Sequence, residues 1–328
     1  MDKVLHGTRS SWGSYQSLSV PPCSTQSVGT SLRLRKDTKA TLVAQGCMIM
    51  FAVLVVGACV LRARQLHSRS DDVYFLSLGN HCCGSAAQKA VAMQMGVTAE
   101  EYKTKFVVSL GNDFNIGPLF GTRFSVMNFQ DVFTSHPSLR IPWYMAVGDY
   151  YKPEGHIMYA NISEYLIMPA PYFTKKILLP SGGSIDIVFL HTKTLLYDQV
   201  QEQWLERSLA NNTANWCITV GHHLPENQLR DLLLPLFLQY GVDAYIYGHD
   251  YVGQYSEDAG VAYIGNGVGG CSQGLPKIQD QALWTRLDYD GFILHRVSTL
   301  QMEFMFMDTK GNILERIIIQ GKKKARSR

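Results

Sequence analysis

The clearest pattern along this chain is an unbroken apolar run, residues 41–61 (TLVAQGCMIMFAVLVVGACVL), which carries no charge and has Gln45 as its strongest polar interruption. A core helix of a globular domain shows a polar face, and this run shows none. At about 1.5 Å per residue it reaches about 31 Å, the hydrocarbon thickness of a bilayer, and so predicts a single transmembrane helix. It is too long and too far from Met1 for a cleaved signal peptide. Residues 1–40 lack hydrophobic periodicity and read as a disordered, basic, Ser/Thr-rich leader. Residues 62–72 form a polar juxtamembrane linker.

From residue 73 onward, short apolar runs alternate with amphipathic ones. Strands are expected at Val73–Leu78, Phe106–Leu110, Trp143–Val147, Ile185–Leu190, Trp216–Val220 and Ala244–Tyr247. Helical stretches fall between them, near 85–95, 123–133, 199–209 and 227–239. This βα rhythm predicts an α/β domain on a largely parallel central sheet with helices on its faces. The pattern then changes. Gly291–Ser298, Gln301–Asp308 and Ile313–Ile319 read as antiparallel strands, the last two joined through Thr309-Lys-Gly-Asn. One domain covers 73–320, and a basic tail, 321–328, reads as a solvated end.

Composition narrows the classes. With 46% apolar and 17% charged residues in 328, and a net charge of +3, the body is neither disordered nor built to coat nucleic acid. The basic excess gathers around the apolar run and in the tail, so it speaks to topology. Arg33, Arg35, Lys36 and Lys39 precede the run, and Arg62, Arg64 and Arg69 follow it. That leans toward a cytosolic N-terminus and an exoplasmic C-terminal domain. The sequons at Asn161-Ile-Ser163 and Asn211-Asn-Thr213 suit the same topology as glycosylation candidates. The expected location is an endomembrane or the cell surface. The acid-poor leader also has the character of a mitochondrial presequence, which keeps a mitochondrial membrane as the alternative. Seven cysteines form no framework and no CxxC pair. A bridge between the adjacent Cys82 and Cys83 would be strained, which leaves Cys217 and Cys271 as the conceivable pair.

Candidate chemistry lies just after the strands. Gly79-Asn80-His81, Gly111-Asn112-Asp113, Gly148-Asp149-Tyr150, Gly221-His222-His223 and Gly248-His249-Asp250 each place polar side chains beyond a strand end. In α/β sheets the crevice beyond the carboxyl ends of the strands is where ligands bind. The series resembles the calcineurin-like metallophosphoesterases, whose blocks run GDxG, GDxxY, GNHD, GH and GHxH. Within them it is most similar to the tartrate-resistant (purple) acid phosphatases. Supporting stretches are Ser109–Phe114, Phe129-Gln-Asp-Val-Phe, Leu139–Tyr144, Gln203-Trp-Leu and Tyr240–Asp250, in colinear order across about 73–320. The resemblance implies a metallophosphoesterase-type β-sandwich flanked by helices, behind the single transmembrane helix.

It also implies a paired-metal centre that makes a hydroxide nucleophile, with a histidine protonating the leaving group. Matched block by block, this chain departs from that pattern. Asn80, Asn112, Asn115 and Tyr251 stand at the ligand positions of the first metal, and a neutral amide there leaves an ion without compensating charge. Tyr150 stands at the proton-donor position, and its ordinary pKa of about 10 suits that role poorly. At the second metal His222 and His249 match, and Asp149 replaces an asparagine. Two imidazoles and a carboxylate are a competent set for one zinc, so a two-metal centre is expected to be absent and a single zinc site to remain. The plain alternative is that these three are turn-packing residues. His81, His191 and His223 lie near the same crevice and offer a rearranged site as a further reading.

The expected function is therefore that of a membrane-anchored, catalytically inactive acid-phosphatase-like protein, acting as a binding or scaffolding module for a protein partner or a phosphorylated ligand. The alternatives are a single-zinc phosphoester hydrolase and a structural subunit of a membrane complex.

Overall fold

β1 (Val73–Leu78) is buried along its whole length, because hydrophobic layers cover both of its faces. The same holds for β6 (Ser184–Phe189), β7 (Trp216–Val220), β8 (Ala244–Tyr247) and β10 (Val261–Asn266). The computed structural model describes residues 48–51, 53–55, 72–81, 83–112, 129–149, 163–271 and 275–321. The chain divides into two compact units, Met1–Val60 and Leu61–Arg328.

In the first unit the described residues, 48–51 and 53–55, are helical and belong to the apolar run. Among the described residues no helix is long and apolar enough to cross a membrane. The leader, the rest of 41–61, all but Asp72 of the 62–72 linker, residues 322–328 of the tail, and Asn115, Tyr150 and Asn161 lie outside the described residues.

The second unit has the helix-flanked β-sandwich that the resemblance implies and corrects the single central sheet read from the βα rhythm. It contains two mixed seven-stranded sheets packed face to face. With β2 (Val107–Ser109), β3 (Trp143–Met145), β4 (Leu166–Ile167), β12 (Gly291–Val297), β13 (Gln301–Asp308) and β14 (Ile313–Gln320), the first sheet runs β14-β13-β12-β1-β2-β3-β4. With β5 (Phe173–Leu178), β9 (Gly253–Asp258) and β11 (Trp284–Arg286), the second runs β11-β9-β10-β8-β7-β6-β5. Each holds a parallel stretch, β1 to β4 and β6-β7-β8-β10, bordered by antiparallel strands.

Phe75, Val108 and Leu110 meet Ile187, Ile218 and Ile246 between the sheets. On the outside of the first sheet α1 (Ala86–Tyr102) presents Val91, Ala92 and Met95 to Trp143 and Phe133. On the outside of the second, α2 (Gln199–Ala210) and α3 (Asn227–Tyr240) bury Leu205, Leu209, Leu233 and Phe237. The result is a four-layer sandwich, helix, sheet, sheet, helix. α1 begins at Ser85, whose hydroxyl accepts the Gln88 N–H, and it runs past the predicted end to Tyr102, with the His136 ring packed closely on Gly96. In place of the helix near 123–133, the described part from 129 is a short π turn, Gln130–Thr134.

The cysteine expectation is overturned. Cys271 bridges to Cys83, tying the loop after β1 to the loop after β10. Cys217 lies buried on β7, facing the layer that contains α2 and α3. The two positions therefore point into different layers of the sandwich, and no bridge connects them.

Candidate metal centre

The strand ends of both sheets converge on one edge of the sandwich. β2 and β3 deliver Gly111-Asn112 and Gly148-Asp149 from the first sheet, while β7 and β8 deliver Gly221-His222-His223 and Gly248-His249 from the second. Two glycines make the approach feasible. A Cβ on Gly148 would sit 2.2 Å from the Asn112 backbone nitrogen. Gly111 has φ +91°, and a Cβ there would lie 2.7 Å from His222 Nδ1.

Asp149 is the hub. Its Oδ2 lies 3.2 Å from His222 Nε2 and 3.1 Å from His249 Nδ1, and its Oδ1 lies 3.0 Å from His223 Nε2. His249 Nδ1 and His222 Nε2 are themselves 3.1 Å apart. Among the described residues these four form a group whose donor atoms all lie within 4.8 Å of one another, a set that can hold one metal ion. The three residues singled out from the sequence are thus brought together, and His223 joins them. His81 and His191 do not. His81 is buried against Ser109 Oγ at 2.9 Å, and His191 Nδ1 lies 3.0 Å from Thr194 Oγ1. Burial, followed by the nearby Lys193 charge, pushes the His191 pKa down to about 4.

The electrostatics of the cluster centre on Asp149. Burial opposes the charge on Asp149, yet the three imidazoles around it hold its carboxyl far below the usual carboxylate range. The Asp149 carboxylate pushes the pKa of His249 up, whereas burial pushes that of His222 down. The Lys193 ammonium donates to the Asp149 backbone carbonyl at 2.9 Å.

The neighbouring half is made of amides. Asn80 and Asn112 are buried, and both take left-handed backbone angles, φ 55° and 57°. Asn80 Nδ2 donates to Gly248 O at 2.7 Å and to Gly267 O at 3.2 Å. Asn112 Oδ1 accepts the Asp149 N–H at 2.9 Å, and Asn112 Nδ2 contacts Asn80 Oδ1 and Asp149 Oδ2, each at 3.3 Å. Each amide is committed to its neighbours, and neither supplies an anionic oxygen. Tyr251, also left-handed at φ 52°, follows the turn after β8.

Comparison with known proteins bears on the family and the fold. The profile of the calcineurin-like phosphoesterases matches residues 58–253. Human tartrate-resistant acid phosphatase type 5 is 26% identical, over 81% of this chain and 97% of its own. Purple acid phosphatase 17 of Arabidopsis thaliana is 27% identical, over 82% of this chain and 91% of its own. Among solved structures, GAP50, "the anchor in the inner membrane complex of Plasmodium", superposes with a TM-score of 0.67 at 22% identity. That match covers 77% of this chain and 90% of GAP50, and it speaks for a shared fold.

Proposed function

The chain belongs to the calcineurin-like phosphoesterase family, and from that premise we propose a membrane-anchored member that has lost two-metal turnover and works as a binding or scaffolding module around a single zinc. The observation that carries this reading is the split within the site. Asp149, His222 and His249 hold their donor atoms 3.1–3.2 Å apart, while Asn80 and Asn112 spend their amides on one another, on Asp149 and on backbone carbonyls. Imidazole nitrogen and carboxylate oxygen are donors that zinc accepts well. Bound there, zinc supplies a fixed positive charge to the cluster. A second ion beside it would have amide groups where compensating charge is needed.

The metal count tests this directly. Full-length protein purified in detergent, without chelator, should carry one zinc per chain. Two equivalents of tightly held metal would overturn the single-site reading. A zinc-free protein whose melting curve ignores added zinc would reduce the site to packed turn residues.

Anchoring rests on the uncharged run 41–61, and GAP50, a protein of the same fold, is described as an anchor in a membrane complex. The exoplasmic placement is supported by the Cys83–Cys271 bridge, which suits an oxidising compartment, and by Asn211, exposed at the end of α2 within its sequon. Alkaline carbonate should leave the protein in the membrane pellet, since a spanning helix is not retained by surface charge. Glycosidase treatment should raise its electrophoretic mobility, and Asn161→Gln with Asn211→Gln should abolish that change. Release by carbonate refutes the spanning helix, and glycosidase-insensitive mobility counts against the exoplasmic domain.

A further inference from the structure

We propose that His223 is the fourth ligand of this metal and closes its coordination shell, making the site a structural centre with no position for water or phosphate. The proposal rests on the single-metal reading above and goes a step beyond it. The GH block on which the resemblance rests is matched by His222; His223 lies outside that match.

Spacing is the first argument. Ligands about 2.0–2.1 Å from a tetrahedral zinc lie about 3.3–3.4 Å from one another. With Asp149 Oδ2 as the ligand atom, its contacts to His222 and His249 and the His222–His249 contact, at 3.1–3.2 Å, already have nearly that spacing, and His223 Nε2 sits 3.0 Å from the other oxygen of the same carboxylate. The widest donor separation in the group is within 4.8 Å. Closing the remainder takes a turn of the His223 side chain, which is 26% exposed.

Orientation is the second. A metal-binding histidine is held by a hydrogen bond at its other ring nitrogen, which fixes both tautomer and direction. His222 Nδ1 lies 2.7 Å from Leu110 O, an acceptor only, so Nδ1 carries the proton and the Nε2 lone pair faces Asp149. His223 is also held at its other ring nitrogen: Nδ1 is 2.8 Å from the Thr192 hydroxyl, which is able to accept from it, and Nε2 faces Asp149. Its backbone is pinned as well. The His223 N–H donates to Thr192 Oγ1 at 3.3 Å, and Tyr245 OH donates to His223 O at 2.6 Å. A surface histidine with no task does not need this support on both sides.

Function follows from coordination number. Structural zinc sites have four protein ligands, whereas catalytic ones keep a position for water. Three imidazoles and one carboxylate complete the set, which leaves a bound zinc no hydroxide to deliver.

Cobalt(II) in place of zinc makes this visible in the detergent-solubilised full-length protein. The unmutated chain should show the intense visible absorption of a four-coordinate ion, and inorganic phosphate should leave it unchanged. His223→Ala should weaken metal binding by at least the roughly 10–100-fold that losing even an outer partner costs. Its cobalt spectrum should then respond to phosphate, because a position has opened. A phosphate-sensitive spectrum in the unmutated chain overturns the closure. So does a His223→Ala protein with unchanged affinity and spectrum. If the variant does not fold, the phosphate response of the unmutated chain still decides. Failure of the unmutated chain to bind cobalt or zinc at all would instead refute the single-metal reading beneath it.

Discussion

Given iron, manganese or zinc, the full-length protein should hydrolyse a generic aryl phosphate several orders of magnitude more slowly than the two-metal phosphatases of its family. The size of the effect follows from what is missing. In a paired centre the ions generate the nucleophile and clamp both the attacking and leaving oxygens. Here the two buried positions nearest Asp149 on that side carry amides, Asn80 and Asn112, with hydrogen bonds already made. Taking away the source of hydroxide removes the reaction path itself, and each tenfold of rate corresponds to about 1.4 kcal/mol of barrier. Added metal should not rescue the rate, because no anionic oxygen at 80 or 112 is available to hold a second ion. Robust, metal-dependent turnover at the level of ordinary phosphatases would sink the inactive reading.

Replacing Cys271 should cost more stability than any exposed substitution. Cys271 is the partner to change, since Cys82 beside Cys83 offers the remaining thiol of a Cys83 variant an alternative bond. The bridge closes a loop with a sequence separation of 188. Chain-entropy reasoning assigns a loop of that length about 5 kcal/mol, and native bridges commonly contribute about 2–4 kcal/mol. Set against a typical total of about 5–15 kcal/mol, that is a large share. For a domain of this size Cys271→Ser should lower the melting temperature by roughly 10 °C. Reductant should do the same to the unmutated chain and nothing further to the variant. The bridge also holds the loop that carries Asn80, whose amide binds the carbonyls of Gly248 and Gly267, so zinc affinity should weaken alongside stability. Equal melting curves for the two proteins would show that the bridge contributes nothing in solution.

Several strands with both faces buried were legible. Val73–Leu78, Trp216–Val220, Ala244–Tyr247 and Gln301–Asp308 run as the apolar pattern predicts, because a continuous hydrophobic run has few other ways to be covered. The edge strand β14 was legible too, at Ile313–Ile319, but β5, β9 and β10 were not. β5 alternates half-buried and exposed residues and carries Lys175 and Lys176, so its sequence looks like a polar connection. The β9–β10 hairpin turns at Ala259 and Gly260, with φ 50° and 81°, and polar Gln254, Ser256 and Glu257 mask the strand that leads into it. Pairing with neighbouring strands makes β5 and β9 strands despite their polar sequences.

What the amino-acid order settles by itself is local: the glycine-ended strands, the family that their sequence of blocks resembles, and the loss of carboxylates at 80 and 112. Each depends on residue identity and short spacing. Partnership across the fold is a different matter. Cys83 and Cys271 are 188 residues apart, and only the apposition of the β1 and β10 loops brings them within reach. His223 follows His222 in every sequence-level view, yet its place beside Asp149 comes from Thr192 and Tyr245, held by β6 and β8 on either side of β7. The hydrophobic pattern says which face of a strand turns inward, but contacts between strand ends depend on how two twisted sheets are stacked. That stacking is set by the packing of the whole core.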